Sequence, residues 1–368
     1  MNHPAPNAAE APKRPVIAHV GAGMMGQLAH IANYARLRDA GRCAIAGVTD
    51  LQTDLAVAVA DRYRIPHVYP SLDDLLADET VDAVTCIQQW PNNYPLVKQI
   101  LGAGKSVITE KPMVGRLDEA QELAALAEAN GVLYAVGFMK RYDHGVERAR
   151  ELIAEVTASG ELGALVMVDA ICNGGDWLFG IEEPVRMPPP APGVLPPLAP
   201  TYPDAVTTDL QRRQYDWLVN IFSHTVNLCH HLLGREMTVR TATFLESRAL
   251  AATLTAGETL VTIRGGQTTS HEWRESTTLT FERGEITVRT PIPMRKQASA
   301  EVSILRPGRG RFITEQHHIT PGWAFFQQAE GFIAALAGEA PLRTPASAAV
   351  ADVRVMQEII ESSIAASS

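Results

Sequence analysis

Gly21, Gly23 and Gly26 close the apolar run Val16–Val20 in the stretch Gly21-Ala22-Gly23-Met24-Met25-Gly26. This spacing can hold an anion on the backbone. Gly21 allows a tight turn, Gly23 lets the chain approach a pyrophosphate with no Cβ in the way, and Gly26 lets the next helix pack close to its strand. The N–H groups that open the helix Gln27–Ala40, with Met24 and Met25 just before it, would then face the phosphates, where the macrodipole favours negative charge. A second β-rich run, Cys43–Thr49, ends at Asp50, 24 residues after Gly26. An acid about 20 residues beyond the glycines accepts the adenosine ribose hydroxyls in such units. Leu51-Gln52-Thr53 follows, with no Arg to take a 2′-phosphate, so the pattern predicts NAD rather than NADP. Capping the helix Leu51–Tyr63 is the other role open to Asp50.

These elements belong to a chain of 368 residues, long enough for two domains. A 46% hydrophobic and 20% charged composition describes a globular protein, and the net charge of −9 argues against a nucleic-acid partner. Cys43, Cys86, Cys172 and Cys229 form no close pair and read as free thiols of a reducing compartment, hence a cytoplasmic protein. No stretch reaches the roughly 18 unbroken apolar residues of a membrane span. Met1–Arg14 lacks the apolar core of a signal peptide and reads as a disordered tail. His, Cys and carboxylates nowhere recur at ligand spacing, so no metal is expected.

From residue 15 to 140, strands alternate with helices: Val16–Val20, Ala44–Thr49, a short His67–Val68, Ala83–Gln88, Ser106–Thr109 and Leu133–Gly137. Such alternation predicts a parallel sheet covered on both faces, a Rossmann-type unit that binds its ligand beyond the strands' carboxyl ends. Residues 141–368 read differently. A helix, Val146–Ser159, precedes Thr- and Val-rich strands at Leu165–Ile171, Val239–Glu246, Thr259–Arg264, Ser276–Phe281 and Glu285–Arg289. An α/β domain with an open, mostly antiparallel sheet is expected, with a helix at Asp216–Leu233 and two closing helices, Ala324–Ala337 and Ala346–Ser363. Nine prolines lie between Pro184 and Pro203. That run is no helix or central strand and reads as a stiff loop over a cleft.

The segment Ser106-Val107-Ile108-Thr109-Glu110-Lys111-Pro112-Met113 resembles the Glu-Lys-Pro motif of the Gfo/Idh/MocA oxidoreductases. Gly104-Lys105 before it, Val136-Gly137-Phe138 with Arg141-Tyr142, Ser159-Gly160-Glu161-Leu162-Gly163, and Ser223-His224-Thr225-Val226-Asn227 with Leu232-Leu233-Gly234 are similar to further motifs of the family. The resemblance runs from about residue 16 to 363. It implies a Rossmann domain followed by an α/β domain, NAD(P)-dependent chemistry on a carbinol, and a homodimer or homotetramer formed through the second sheet.

Oxidising a carbinol requires a proton acceptor and a cation near the developing alkoxide. The resemblance assigns these roles to Lys111 and His224; which of the two takes the proton stays open. Gln88, Gln89, Trp90, Asn93, Glu110 and Lys111 join the glycine loop and Asp50 as expected cofactor contacts. Lys140, Arg141, Tyr142, Asp176, Trp177 and Asn220 join Lys111 and His224 as expected substrate contacts, a polar and aromatic mixture suited to a carbohydrate or cyclitol. Tyr215 is a further candidate. Asn220 and Asn227 replace acids common in the family, and Gln88-Gln89-Trp90 replaces its Thr-Pro-Asn. His230, His231, His317 and His318 are expected to be ordinary helix and loop residues. The function expected is a dehydrogenase. A redox-neutral enzyme that oxidises its substrate transiently, and a non-catalytic NAD-binding regulator, are the alternatives.

Overall fold

The computed structural model describes residues 14–178, 181–189, 196–270 and 272–367. The expected tail therefore lies outside the described residues save Arg14, as do residues 190–195 of the proline-rich run.

In the first domain, β-branched runs form β1 (Val16–Val20), β2 (Ala44–Thr49), β3 (Ala83–Cys86), β4 (Ser106–Thr109) and β5 (Tyr134–Val136). They pair in parallel in the order β2-β1-β3-β4-β5. The neighbours of β1 run off in opposite directions of the chain, so the switch point for a ligand lies at its carboxyl end. The helices are α1 (Ala32–Asp39), α2 (Thr53–Tyr63), α3 (Leu72–Ala77), α4 (Asn93–Gly102) and α5 (Leu117–Ala129). Ser71 caps α3 by accepting from Asp74 N at 3.1 Å. A π-helical stretch, Gly26–Ile31, leads into α1, a wide turn of the kind often found at functional sites. The expected strand at His67–Val68 is only an isolated bridge between Val68 and Val48; Pro66 and Pro70 flank too few residues for a ladder.

The second domain opens with α6 (His144–Ser159), which Asp143 caps by accepting from Gly145 N at 2.7 Å and Gly160 ends at φ +65°. Its sheet comprises β6 (Leu165–Gly174), β7 (Thr238–Leu245), β8 (Ala249–Ala256), β9 (Thr259–Gln267), β10 (Arg274–Phe281), β11 (Gly284–Thr290), β12 (Glu301–Gly308) and β13 (Arg311–His317). Their order is β13-β12-β11-β10-β6-β9-β8-β7, antiparallel throughout except for the parallel pair β6/β9. One face buries Val168, Ala170, Cys172, Leu279 and Ile286; the other carries Asp169, Ile171, Thr278 and Arg289.

Three strands escape the sequence reading. β8 is Ala-rich, with weak β-propensity. β12 ends on Pro307-Gly308, and β13 is an exposed edge strand with no apolar alternation. His317 therefore lies at the end of a strand rather than in a loop. The long helix also begins earlier than its apolar pattern suggests. A capping box joining Thr208 and Gln211 starts α7 (Asp209–Trp217), a π-helical turn spans Leu218–Phe222, and α8 (Ser223–Leu233) continues to Gly234. The last helices, α9 (Ala324–Leu336) and α10 (Ala346–Ser367), return to the first domain: α9 packs on α1, and α10 packs on α5 and β7.

Candidate active site

The glycine loop has the geometry its residue types call for. Gly21 adopts φ +99°, and a Cβ there would lie 2.2 Å from Ile87 O; at Gly26 it would lie 2.4 Å from Gly21 O. Both positions exclude any side chain. A Cβ on Gly23 would meet nothing within 4 Å, so the open side of the loop is at the residue expected to approach the pyrophosphate. The residues present thus fit a dinucleotide.

Asp50 stands at the end of β2 and accepts from Ala22 N at 2.7 Å and Gln52 N at 2.8 Å. It ties the glycine loop to Gln52, the residue before α2, and does not itself cap that helix. Asp50→Ala is expected to weaken NAD binding about 10-fold, the worth of one or two hydrogen bonds to a charged group. Calorimetric titration checks this; unchanged affinity would remove Asp50 from the cofactor site.

Below the loop, His19 is fully buried with Nδ1 2.6 Å from Thr85 Oγ1. Burial, with the charges of His30 and Arg38 adding to it, holds its pKa down at about 3. An unfolded chain protonates this ring near 6.5. Stability from the neutral ring is therefore complete above about 6.5 and is lost as pH falls toward 3. His231, held at about 3 mainly by burial, adds the same slope. His19→Gln is expected to flatten the fall in melting temperature between pH 7 and pH 4.5; a variant with the wild-type slope contradicts this.

The loop after β4 carries the reactive candidates. Glu110 is buried and faces inward, its Oε1 2.9 Å from His30 Nε2, while its Oε2 accepts from Lys111 N at 3.2 Å. Asn93 Nδ2 donates to the carbonyls of Glu110, Pro112 and Met113 at 3.0–3.3 Å. Glu110 and Asn93 thus brace the loop rather than face the cleft. Lys111, half-buried, reaches across to α8's preceding turn and donates to Asn220 O at 2.7 Å. Burial pushes the Lys111 amine below its ordinary pKa; Glu110 opposes the shift and Lys140 adds to it.

His224 lies one turn after Asn220, in edge contact with Phe138 at 6.2 Å between ring centroids. Burial, then the charges of Lys140 and Lys111, hold it well below 6.5, so the imidazole is neutral at physiological pH. Its Nδ1 is buried with no hydrogen-bond partner among the described residues. Lys140 is buried and forms an ion pair with Glu275, whose Oε2 accepts from Trp273 Nε1 at 3.1 Å. Lys111, Lys140 and His224 therefore share one electrostatic neighbourhood with Glu275 beside it.

Other expected contacts lie elsewhere. Arg141 is buried, donating to Asn227 Oδ1 at 2.9 Å and to Arg343 O at 3.3 Å. Asn227 Nδ2 donates to Asp352 Oδ2 at 2.6 Å, and Asp352 Oδ1 lies 2.6 Å from His230 Nδ1. This network holds α8 to α10, so His230 is more than an ordinary helix residue. Tyr142 is buried against Gly331 with its hydroxyl 3.3 Å from Thr344 Oγ1. Tyr215 is buried and donates to Gly115 O at 2.6 Å. The Asn220 side chain turns back to Asp216 O at 2.8 Å and only its carbonyl meets Lys111.

Gln88 lies over Gly21, Gln89 is exposed, and Trp90 packs edge-on against Tyr202. Trp177 joins Met24, Met25, Leu28 and Met139 in an apolar cluster beside the glycine loop, and Asp176 accepts from Leu178 N in the turn that carries Trp177. The proline-rich run is anchored at two points on the first domain. Val185 exchanges two hydrogen bonds with the Gln27 side chain, at 2.8 and 3.0 Å, and Thr201 Oγ1 donates to Glu119 at 2.9 Å. Glu275 is the residue the sequence reading missed. Alternation along β10 places it on the inward face, where a lone carboxylate among apolar residues signals a buried partner.

Comparison with known proteins bears on the fold of the two domains. Residues 16–138 match the model of the Gfo/Idh/MocA oxidoreductase family, NAD-binding Rossmann fold. The match covers the NAD-binding domain, about a third of the chain. The chain is 35% identical over 172 residues to an inositol 2-dehydrogenase of Rubrobacter xylanophilus, covering 46% of this chain and 47% of the relative. It is 31% identical over 153 residues to inositol 2-dehydrogenase 3 of Saccharopolyspora erythraea, covering 41% and 43%. The matched region thus spans less than half the length of these curated relatives. Among solved structures, GenD2 from gentamicin A biosynthesis, in complex with NAD, superposes with a TM-score of 0.69 at 19% identity over 98% of this chain and 97% of that one. The UDP-N-acetylglucosamine 3-dehydrogenase of Acidithiobacillus ferrooxidans gives 0.69 at 18% identity, over 96% and 99%. These likenesses extend the fold across the second domain. Among the described residues no helix is long and apolar enough to cross a membrane, and no group of three or more His, Cys, Asp or Glu is placed to hold a metal ion.

Proposed function

We propose that the protein is an NAD-dependent dehydrogenase of a sugar, sugar derivative or cyclitol. The observation that carries this reading is the Lys111 amine, held at 2.7 Å to Asn220 O across the two domains and sharing its surroundings with a neutral His224. NAD, bound along Gly21–Gly26 and Asp50, supplies the electron-pair acceptor for the carbinol carbon. Lys140 offers positive charge where an alkoxide develops. A bound hydroxyl replaces Asn220 O as the partner of the Lys111 amine, whose lowered pKa makes its neutral form accessible as proton acceptor. His224, uncharged, orients the hydroxyl through a ring nitrogen. Glu275 holds Lys140 in place. The protein works in the cytoplasm as a homodimer or homotetramer.

The test is NADH absorbance with NAD and a panel of inositols and aldoses. Turnover with at least one polyol is expected, and its pH profile should rise through a limb lying below 10.5, the ordinary lysine value. NAD binding without turnover on any polyol would contradict the reading.

A further inference from the structure

The loop that carries Lys111 is held from two sides. Asn93 holds its carbonyls, at Glu110, Pro112 and Met113. On the amide side, Glu110 Oε2 accepts from Lys111 N at 3.2 Å. The other oxygen of that carboxylate, Oε1, lies 2.9 Å from Nε2 of His30. His30 sits in the π-helical stretch Gly26–Ile31, about one turn beyond the last glycine of the cofactor loop. One carboxylate therefore joins the helix start expected to carry the pyrophosphate to the backbone of Lys111.

This bridge is not a surface pair. His30 is 2% exposed and Glu110 8%. Burying a carboxylate is costly unless its oxygens are engaged, and here each oxygen meets a nitrogen. Phe325 of α9 packs edge-on against the His30 ring, with 6.1 Å between centroids, and so holds the plane in which Nε2 is presented. Well-packed apolar residues would stabilise such a position at least as well as a buried polar pair. What the pair adds is a fixed direction for the Lys111 loop.

We propose that His30 is a positioning residue: through Glu110 it sets the Lys111 amine relative to a cofactor anchored at the head of its own helix. This inference rests on the dehydrogenase reading, in which the amine and the nicotinamide ring meet at one carbon. A misplacement of about 1 Å in such a site can cost on the order of 100-fold in rate. Two substitutions at this position test the role. Asn is too short to reach Glu110, whereas Gln can place its amide nitrogen near the position of His30 Nε2. His30→Asn should lower kcat with the best polyol by about 10- to 100-fold, with KM and NAD affinity unchanged. His30→Gln should recover most of the loss. His30→Leu, which fills the space with apolar atoms, makes the same comparison if the Asn variant does not fold.

A second readout needs no turnover: NMR titration of the Lys111 amine in lysine-labelled protein, its signal assigned by its loss in Lys111→Met. Wild type and His30→Gln should titrate together, below 10.5. In His30→Asn the amine, released toward solvent, should titrate closer to 10.5. Wild-type kcat in His30→Asn, an unmoved Lys111 titration, or an equal loss in His30→Gln overturns the proposal. A wild-type protein with no turnover on any polyol contradicts the dehydrogenase reading instead, and the titration then decides the role of His30.

Discussion

Lys111→Met is expected to lower turnover by about a thousandfold, the usual worth of a positioned acid–base group, while NAD affinity stays unchanged. Met keeps the length and apolar stem, so the loop braced by Glu110 and Asn93 is preserved and the loss falls on kcat. Lys111→Arg should not restore activity, because guanidinium does not deprotonate in proteins and its fork does not fit an ammonium site. Steady-state kinetics with the best polyol, alongside NAD titration, separate the two effects. A Lys111→Met variant with near wild-type kcat would assign the proton transfer to another group.

Asp352→Ala should cause the largest loss of stability. Asp352 is fully buried on α10 and holds both Asn227 and His230 at 2.6 Å. Truncation leaves the Asn227 amide and the His230 ring without their shared acceptor, and frees the Asn227 side chain whose Oδ1 accepts from Arg141. Breaking a buried charged network of this kind costs about 3–5 kcal/mol. For a chain of this length the melting temperature should fall by roughly 10 °C. Asp352→Asn retains two hydrogen-bonding atoms and should lose less. Equal melting temperatures for wild type and Asp352→Ala would show that α8 and α10 hold together by apolar packing alone.

The first domain was legible because its signals are local. A glycine's place in a turn, an apolar run and a cap each act within a few residues, and the glycine spacing matched φ +99° at Gly21 and the close approach at Gly26. Lys111 and His224 were legible through motif resemblance, and their shared neighbourhood follows from a domain arrangement the sequence does not print. Arg141 and Tyr142, also expected at the substrate, engage other partners in the structure. They follow Lys140 directly, but the short helical turn Met139–Tyr142 turns successive side chains in different directions, Lys140 to β10, Arg141 to Asn227 on α8, and Tyr142 to Thr344 in the connection before α10. Glu275 went unread because its partner is 135 positions away in sequence and only sheet register brings them together. β13 offers neither apolar alternation nor burial, so nothing in its residue pattern marks a strand.

The central claim, that the Lys111 amine and the nicotinamide ring meet at one alcohol carbon, is tested most directly by a crystal structure with NAD and the best polyol bound. The account predicts Lys111 Nζ within hydrogen-bond distance of the hydroxyl on the carbon nearest nicotinamide C4, with a His224 ring nitrogen on the same oxygen. A complex in which Lys111 Nζ stays on Asn220 O, and the polyol's nearest carbon to the ring is served by neither residue, would contradict it.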